Sequence, residues 1–386
     1  MTNTTHRTIS CWAGFIAAAV LASLLPPAAI SQQTDQQTQD ESKTTNRSQP
    51  SLAQQAYAKT KTAKTIEEFT EVIKLCEESQ QEELPKASLD YVKNLQSWAH
   101  NKRGESYAEQ SGKISGDVEQ EKAGELEKKA MADFLAAIDL QPTRWRAVHN
   151  RGVSHALLGQ FDEAIRDFGR TIELKPNYAN AWFNRGEIRY AKKDYQQALA
   201  DYNRTIRLKP NDAGAYNSRG HTHYRLRKYQ EALDDYGRAV QLDDTKAVSY
   251  ANRADAYADQ GYYGRAARDY RRAIDLDDRL GRAYQGAAWM MATCPDMRFR
   301  DAGRALLAAK KAIELDGEED YRYLDTLAAA HANEGRFDRA KEALEKAIQA
   351  APREAVERLN KRLDMYQEQK PYREAARSAV PTGPRR

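Results

Sequence analysis

The stretch Asn180-Ala181-Trp182-Phe183-Asn184-Arg185-Gly186, closing at Leu208-Lys209-Pro210-Asn211, returns every 34 residues along the middle of the chain. Gly152, Gly186 and Gly220 mark the register, with Ala254 one period on. Twelve residues after each stand Ala164, Ala198, Ala232 and Ala266, and four further on an aromatic: Phe168, Tyr202, Tyr236 or Tyr270. Within one period, Trp182, Gly186 and Tyr190, then Ala198, Leu199, Tyr202 and Ile206, recur at spacings of three and four. Such spacings put them on one face of each of two helices. Lys192-Lys193-Asp194 turns the chain between the helices, and Pro176 or Pro210 stops the second one. A single hairpin cannot cover its own apolar face, so the pattern predicts a stack of hairpins closed by polar end pieces.

This register resembles the tetratricopeptide repeat, and the resemblance covers roughly residues 90–354. It implies an all-α fold, an α-α superhelix of six to seven helical hairpins. The regular units are 145–178, 179–212, 213–246, 247–280 and 321–354, within a repeat region spanning 98–354. Unit 281–320 is irregular, because Ala288 and Ala305 are 17 residues apart and the excess around 293–297 must bulge between its helices. An earlier unit is stretched between Gly104 and Ala130. Its insertion, 105–129, contains Gly112-Lys-Ile-Ser-Gly-Asp-Val118, which reads as a loop. Ile66, Phe69, Val72, Ile73 and Cys76 have helical spacing and make 53–97 a helical N-terminal cap. Residues 355–369, with Leu359 and Leu363 one turn apart, read as a capping helix before a disordered tail over 370–386.

One regularity lies outside the consensus. Arg103, Arg151, Arg185, Arg219 and Arg253 precede the glycine position, and Asp133, Asp167, Asp201, Asp235 and Asp269 stand three after the alanine of the second helix. The irregular unit has Ala287 with Ala308 and the last has Leu327 with Ala343, so units without the arginine also lack the aspartate. This matching predicts a half-buried, bidentate ion pair tying the two helices of each hairpin.

Composition is ordinary for a helical protein, with 41% apolar and 30% charged side chains. The net charge of +4 is slight and the basic residues are interleaved with acidic ones, which speaks against a nucleic-acid partner. The N-terminus differs. His6 and Arg7 precede an apolar run from Ala13 to Leu25, then Pro26-Pro27 and Ala28-Ala29-Ile30-Ser31, the layout of a signal peptide over 1–31. Thirteen apolar residues are short for a bilayer span. The expectation is therefore export, periplasmic or secreted, with no integral membrane segment after cleavage; left uncleaved, the run would serve as an anchor. The Gln-, Thr- and Ser-rich residues 32–52 read as a disordered linker. Cys76 and Cys294 remain, on separate helices, and no disulfide between them is expected.

No catalytic constellation, phosphate loop or cofactor motif appears. His221 and His223 are two apart, on different sides of a helix, so no metal site is expected. Asp243-Asp244 and Asp277-Asp278 read as solvated turns between units. The resemblance implies an inner groove lined by the first helices, and two before the glycine position stand Asn150, Asn184, Ser218 and Asn252. This row is similar to the asparagine ladder in the repeat domain of O-linked N-acetylglucosamine transferases, and its amides could bond an extended peptide backbone. The alternative is that they only solvate the inner wall. Tyr190, Tyr224 and Arg225 are expected to face the same groove, whereas His149 and Val153 replace the residues of a carboxylate clamp. The expectation is a non-enzymatic scaffold of the cell envelope that binds a protein or extended peptide, without cofactors. The alternatives are an accessory or substrate-presenting subunit of an envelope enzyme complex and, third, a glycan-binding role.

Overall fold

A computed structural model describes residues 50–114 and 119–375. The expected signal peptide over 1–31, most of the expected linker, residues 115–118 of the insertion and the tail beyond 375 lie outside the described residues. The chain divides into two compact units, 1–208 and 209–386. Within the first, α1 (Leu52–Thr60), α2 (Ile66–Ser79), α3 (Lys86–Lys113), α4 (Gln120–Leu140), α5 (Trp145–Leu157), α6 (Phe161–Leu174), α7 (Ala179–Ala191) and α8 (Tyr195–Leu208) follow one another. Within the second come α9 (Ala213–Arg225), α10 (Tyr229–Leu242), α11 (Ala247–Asp259), α12 (Tyr263–Leu276), α13 (Gly281–Thr293), α14 (Ala302–Asp316), α15 (Tyr321–Asn333), α16 (Phe337–Ala350) and α17 (Arg353–Gln367). The fold is all-α, an α-α superhelix of hairpins α3/α4 through α15/α16 with α17 packed on the last.

Each hairpin closes on small residues. A methyl group added at Gly186 would sit 2.8 Å from the Tyr202 ring, so glycine is what allows α7 and α8 to approach with Ala198 and Tyr202 fully buried between them. The turns between paired helices pass through left-handed backbone at Gly159, Lys193, Arg227, Gly261 and Gly335. Glycine adopts that conformation without cost, while Lys193 and Arg227 hold it under strain.

Three boundaries differ from the sequence reading. Ser51 caps a helix that begins at Leu52, so the linker ends before the predicted 52. Residues 86–97 are not part of a separate cap but the first turns of α3. The 105–129 insertion lengthens both helices, α3 running through to Lys113 and α4 starting at Gln120, with Ser111 Oγ donating to the Ala123 carbonyl at 2.9 Å; the loop expected over 112–118 falls between them, its residues 115–118 outside the described residues. Lengthening two antiparallel helices together preserves their packing. In the irregular unit the extra residues form a 3₁₀ turn, Met297–Phe299, capped by Asp296. Finally, the predicted disordered tail begins as bound chain: residues 371–375 lie extended against α13 and α15, held by the contacts described below.

Candidate functional site

The arginines and aspartates of five hairpins meet in bidentate pairs. Arg103 Nε and Nη2 donate to Asp133 at 2.8 and 2.8 Å, Arg151 to Asp167 at 2.8 and 2.6 Å, and Arg185 to Asp201 at 3.0 and 2.8 Å. Arg219 reaches Asp235 at 2.8 and 2.6 Å, and Arg253 reaches Asp269 at 2.6 and 2.9 Å. All five aspartates are buried. An aromatic one turn earlier supports the guanidinium: Trp182 lies 4.9 Å under Arg185, Tyr216 5.4 Å under Arg219 and Tyr250 5.4 Å under Arg253. Arg189 adds a second arginine to Asp201 at 2.6 Å. Burial would raise the Asp133 carboxyl, but Arg103 and His100 hold it below the usual range. Every carboxylate in this series is engaged by arginine, so the pairs hold helices together and leave no base for chemistry.

The asparagines do not form an open row. Asn184 is 4% exposed and Asn252 is 2% exposed, and each amide bonds the first helix of the preceding hairpin. Asn184 Nδ2 donates to His149 Nε2 at 3.2 Å, and Asn252 Nδ2 to Asn217 Oδ1 at 2.9 Å. Asn150, half-buried, donates to Asn101 Oδ1 and Glu105 Oε1, both at 3.1 Å. Gln285 Nε2 donates to Thr326 Oγ1 at 2.8 Å, so the same two registers are joined again. The residue two before the glycine position is thus stapled to the residue three before it in the preceding hairpin. The expected peptide-binding amides are thus each engaged by a neighbouring first helix, Asn184 and Asn252 in buried positions and Asn150 in a half-buried one. The His149 ring accepts at Nε2, and burial pushes its pKa down to about 4, so it is neutral.

Tyr190 is also buried, its ring 5.4 Å from that of Tyr195, and is part of the core. Tyr224 is half-buried and donates to Asp259 Oδ2 at 2.7 Å, while Arg225 is exposed. Sequence reasoning missed the acids of this wall. Tyr202 Oη donates to Glu187 at 2.7 Å; Tyr270 Oη donates to Asp255 at 2.6 Å, and Arg282 meets the other oxygen of Asp255 at 2.6 Å. The signal was available in part, since units with tyrosine at 202 and 270 have an acid just after the glycine position, and the unit with Phe168 has Val153 there.

The last two hairpins are furnished differently. Arg362 of α17, 4% exposed, pairs with Asp325 of α15, and its guanidinium lies 4.8 Å from the Trp289 ring and 4.6 Å from the Tyr372 ring. The backbone of Glu374 donates to the Thr293 carbonyl at 2.9 Å, and its carboxylate accepts from Trp289 Nε1 at 2.8 Å. Arg373 donates to the Ala292 carbonyl at 2.8 Å and to Asn333 Oδ1 at 2.7 Å. Thr293 and Asn333 stand five after the glycine position, the register that Arg225 occupies in α9. A first-helix wall therefore holds an extended segment of polypeptide.

Tetratricopeptide repeat profiles match residues 149–213, 213–246, 247–279 and 321–354. The matched hairpins are tetratricopeptide repeats. Among solved structures, a tetratricopeptide repeat protein from Parabacteroides merdae is similar at 19% identity and a TM-score of 0.51, over 68% of this chain and 98% of that one. The Cut9–Hcn1 hetero-tetramer structure of the APC/C is similar at 13% identity and a TM-score of 0.54, over 81% of this chain and 54% of that one. At these identities the likeness is one of fold. A comparison with curated proteins gives no match. Among the described residues of this repeat protein, no helix is long and apolar enough to cross a membrane.

Proposed function

We propose that this tetratricopeptide repeat protein is a non-enzymatic scaffold of the cell envelope that binds a protein through an extended peptide laid on its first-helix walls. The observation that carries the reading is the grip on residues 371–375: two backbone carbonyls, an indole N–H and a side-chain amide oxygen of two first helices engage an extended segment. The titratable groups supporting those walls are tied in internal pairs, which favours recognition over catalysis. Export is supported by the apolar run Ala13–Leu25 with its small-residue cleavage layout.

The test is a photo-crosslinking amino acid placed at Arg225, on the wall, or at Arg268, exposed on the second helix α12, in cells expressing the full chain. The wall position should capture one stoichiometric protein and the α12 position should not; capture at Arg268 alone would place the partner on the second helices. Mature protein from the envelope fraction should begin near Gln32, and a cytoplasmic chain beginning at Thr2 would overturn the location.

A further inference from the structure

The geometry points to a distinct binding site on the walls of α13 and α15 for an extended peptide that presents an aromatic, a basic and an acidic side chain in succession, with the chain's own Tyr372-Arg373-Glu374 as its tethered competitor. This rests on the reading of the first-helix walls as the peptide-binding face and names one site, its ligand class and its regulation.

The chain is steered there by the end of α17. Gln369 adopts a left-handed φ of 57° and Lys370 N–H donates to the Met365 carbonyl at 2.8 Å, closing the helix and turning the following residues away from its axis. Each of the next side chains then meets a complementary group. The Tyr372 ring lies 6.0 Å from Trp289 at 39°, with the Arg362 guanidinium close to both rings, so an aromatic is recognised by an aromatic and a cation together. Arg373 is recognised by the last carbonyls of α13, where the helix end is negative, and by Asn333. The Glu374 carboxylate is recognised by the indole N–H of Trp289, and its backbone N–H by Thr293.

The platform beneath is built independently of the tail. Arg362 is fixed by Asp325, while Arg362 Nε and Tyr366 Oη are buried without hydrogen-bond partners. A buried guanidinium left partly unpaired is unfavourable by itself, and aromatic cover on its face offsets part of that cost. The bound residues 371–374 are only half-buried and Ala375 is exposed. Each hydrogen bond contributes little net, and fixing each residue of a flexible segment costs a comparable amount, so the closed state is held near balance. A short tether then supplies an effective concentration in the millimolar range, enough to block weak peptides and yield to strong ones.

The experiment uses the full chain and a fluorescein-labelled peptide spanning residues 370–376 (sequence KPYREAA), read by anisotropy. The triple variant Tyr372→Ala, Arg373→Ala, Glu374→Ala should bind the probe at least tenfold tighter than the unaltered chain. Adding Trp289→Ala should abolish that binding. The single variant Arg373→Ala, which leaves the aromatic contact in place, should give a smaller gain of about threefold and guards against a folding defect in the triple. Equal binding by all variants, or retained binding after Trp289→Ala, would overturn the site and make the segment a fixed structural cap. Were the probe to fail while the Arg225 crosslinker still captured a partner, the tail assignment alone would fall; loss of wall capture with probe binding intact would overturn only the broader reading.

Discussion

In hairpin α7/α8 the helices meet across Arg185 and Asp201, a buried bidentate pair with Trp182 beneath the guanidinium; in hairpin α15/α16 the same two positions hold Leu327 and Ala343, and the core is Leu324, Ala328, Leu344 and Ala347. Both hairpins bury their interface, so the ion pair is not required for two helices to pack. Desolvation offsets much of its attraction, and its clearest physical effect is to punish the loss of one partner. In the last hairpin a buried pair recurs elsewhere, between Asp325 of α15 and Arg362 of α17, and the arginine serves there as a floor for the bound tail. Polar groups that tie helices within the earlier hairpins are thus redeployed in the final ones toward the wall that holds residues 371–375.

The comparison can be broken most forcefully at Asp201. Its removal in Asp201→Ala leaves both Arg185 and Arg189 without their carboxylate, and the loss should be about 3–5 kcal/mol by urea unfolding. Leu344→Ala in the apolar hairpin should cost about 3 kcal/mol, through a cavity at a fully buried site. If Leu344→Ala were far the worse of the two, the polar and apolar ties would not be equivalent.

Acid should act next. The His149 pKa is lowered to about 4 in the folded chain, so the unfolded chain takes up the proton first as pH falls below about 6.5. Stability is therefore lost on acidification from pH 7 to pH 5, by about 2 kcal/mol, and a His149→Gln variant should flatten that dependence. Asn184→Ala, which leaves His149 Nε2 buried without its donor, should cost about 1–2 kcal/mol. A melting temperature unchanged by Asn184→Ala would mean that the amide faces a solvated groove after all.

The hairpins and their arginine–aspartate register are legible in the sequence because both obey the 34-residue period, and fixed offsets place both partners on facing helices. The amide staples are not. Their second partners are Asn101, His149, Asn217 and Gln285, whose chemistry changes from unit to unit, so the pairing shows only when adjacent first helices are seen side by side. The insertion is legible only in part: Gly112 and Ser115-Gly116 mark the connection, while nothing in the repeat period announces that the helices extend on both sides of it. Tyr372-Arg373-Glu374 has no periodicity at all, and its meaning depends on Trp289, more than eighty residues earlier in the chain.

Arginine and aspartate act as one unit in each of the five hairpins. Arg253 and Asp269 test it most directly, because this carboxylate, unlike that of Asp201, is not shared with a second arginine among the described residues. A double-mutant cycle with Arg253→Leu, Asp269→Ala and the combined change, which imitates the last hairpin, should show each single variant losing about 1–3 kcal/mol and the double recovering part of the sum. A coupling of about 1 kcal/mol or more is the predicted result; losses that add to within about 0.3 kcal/mol would contradict it.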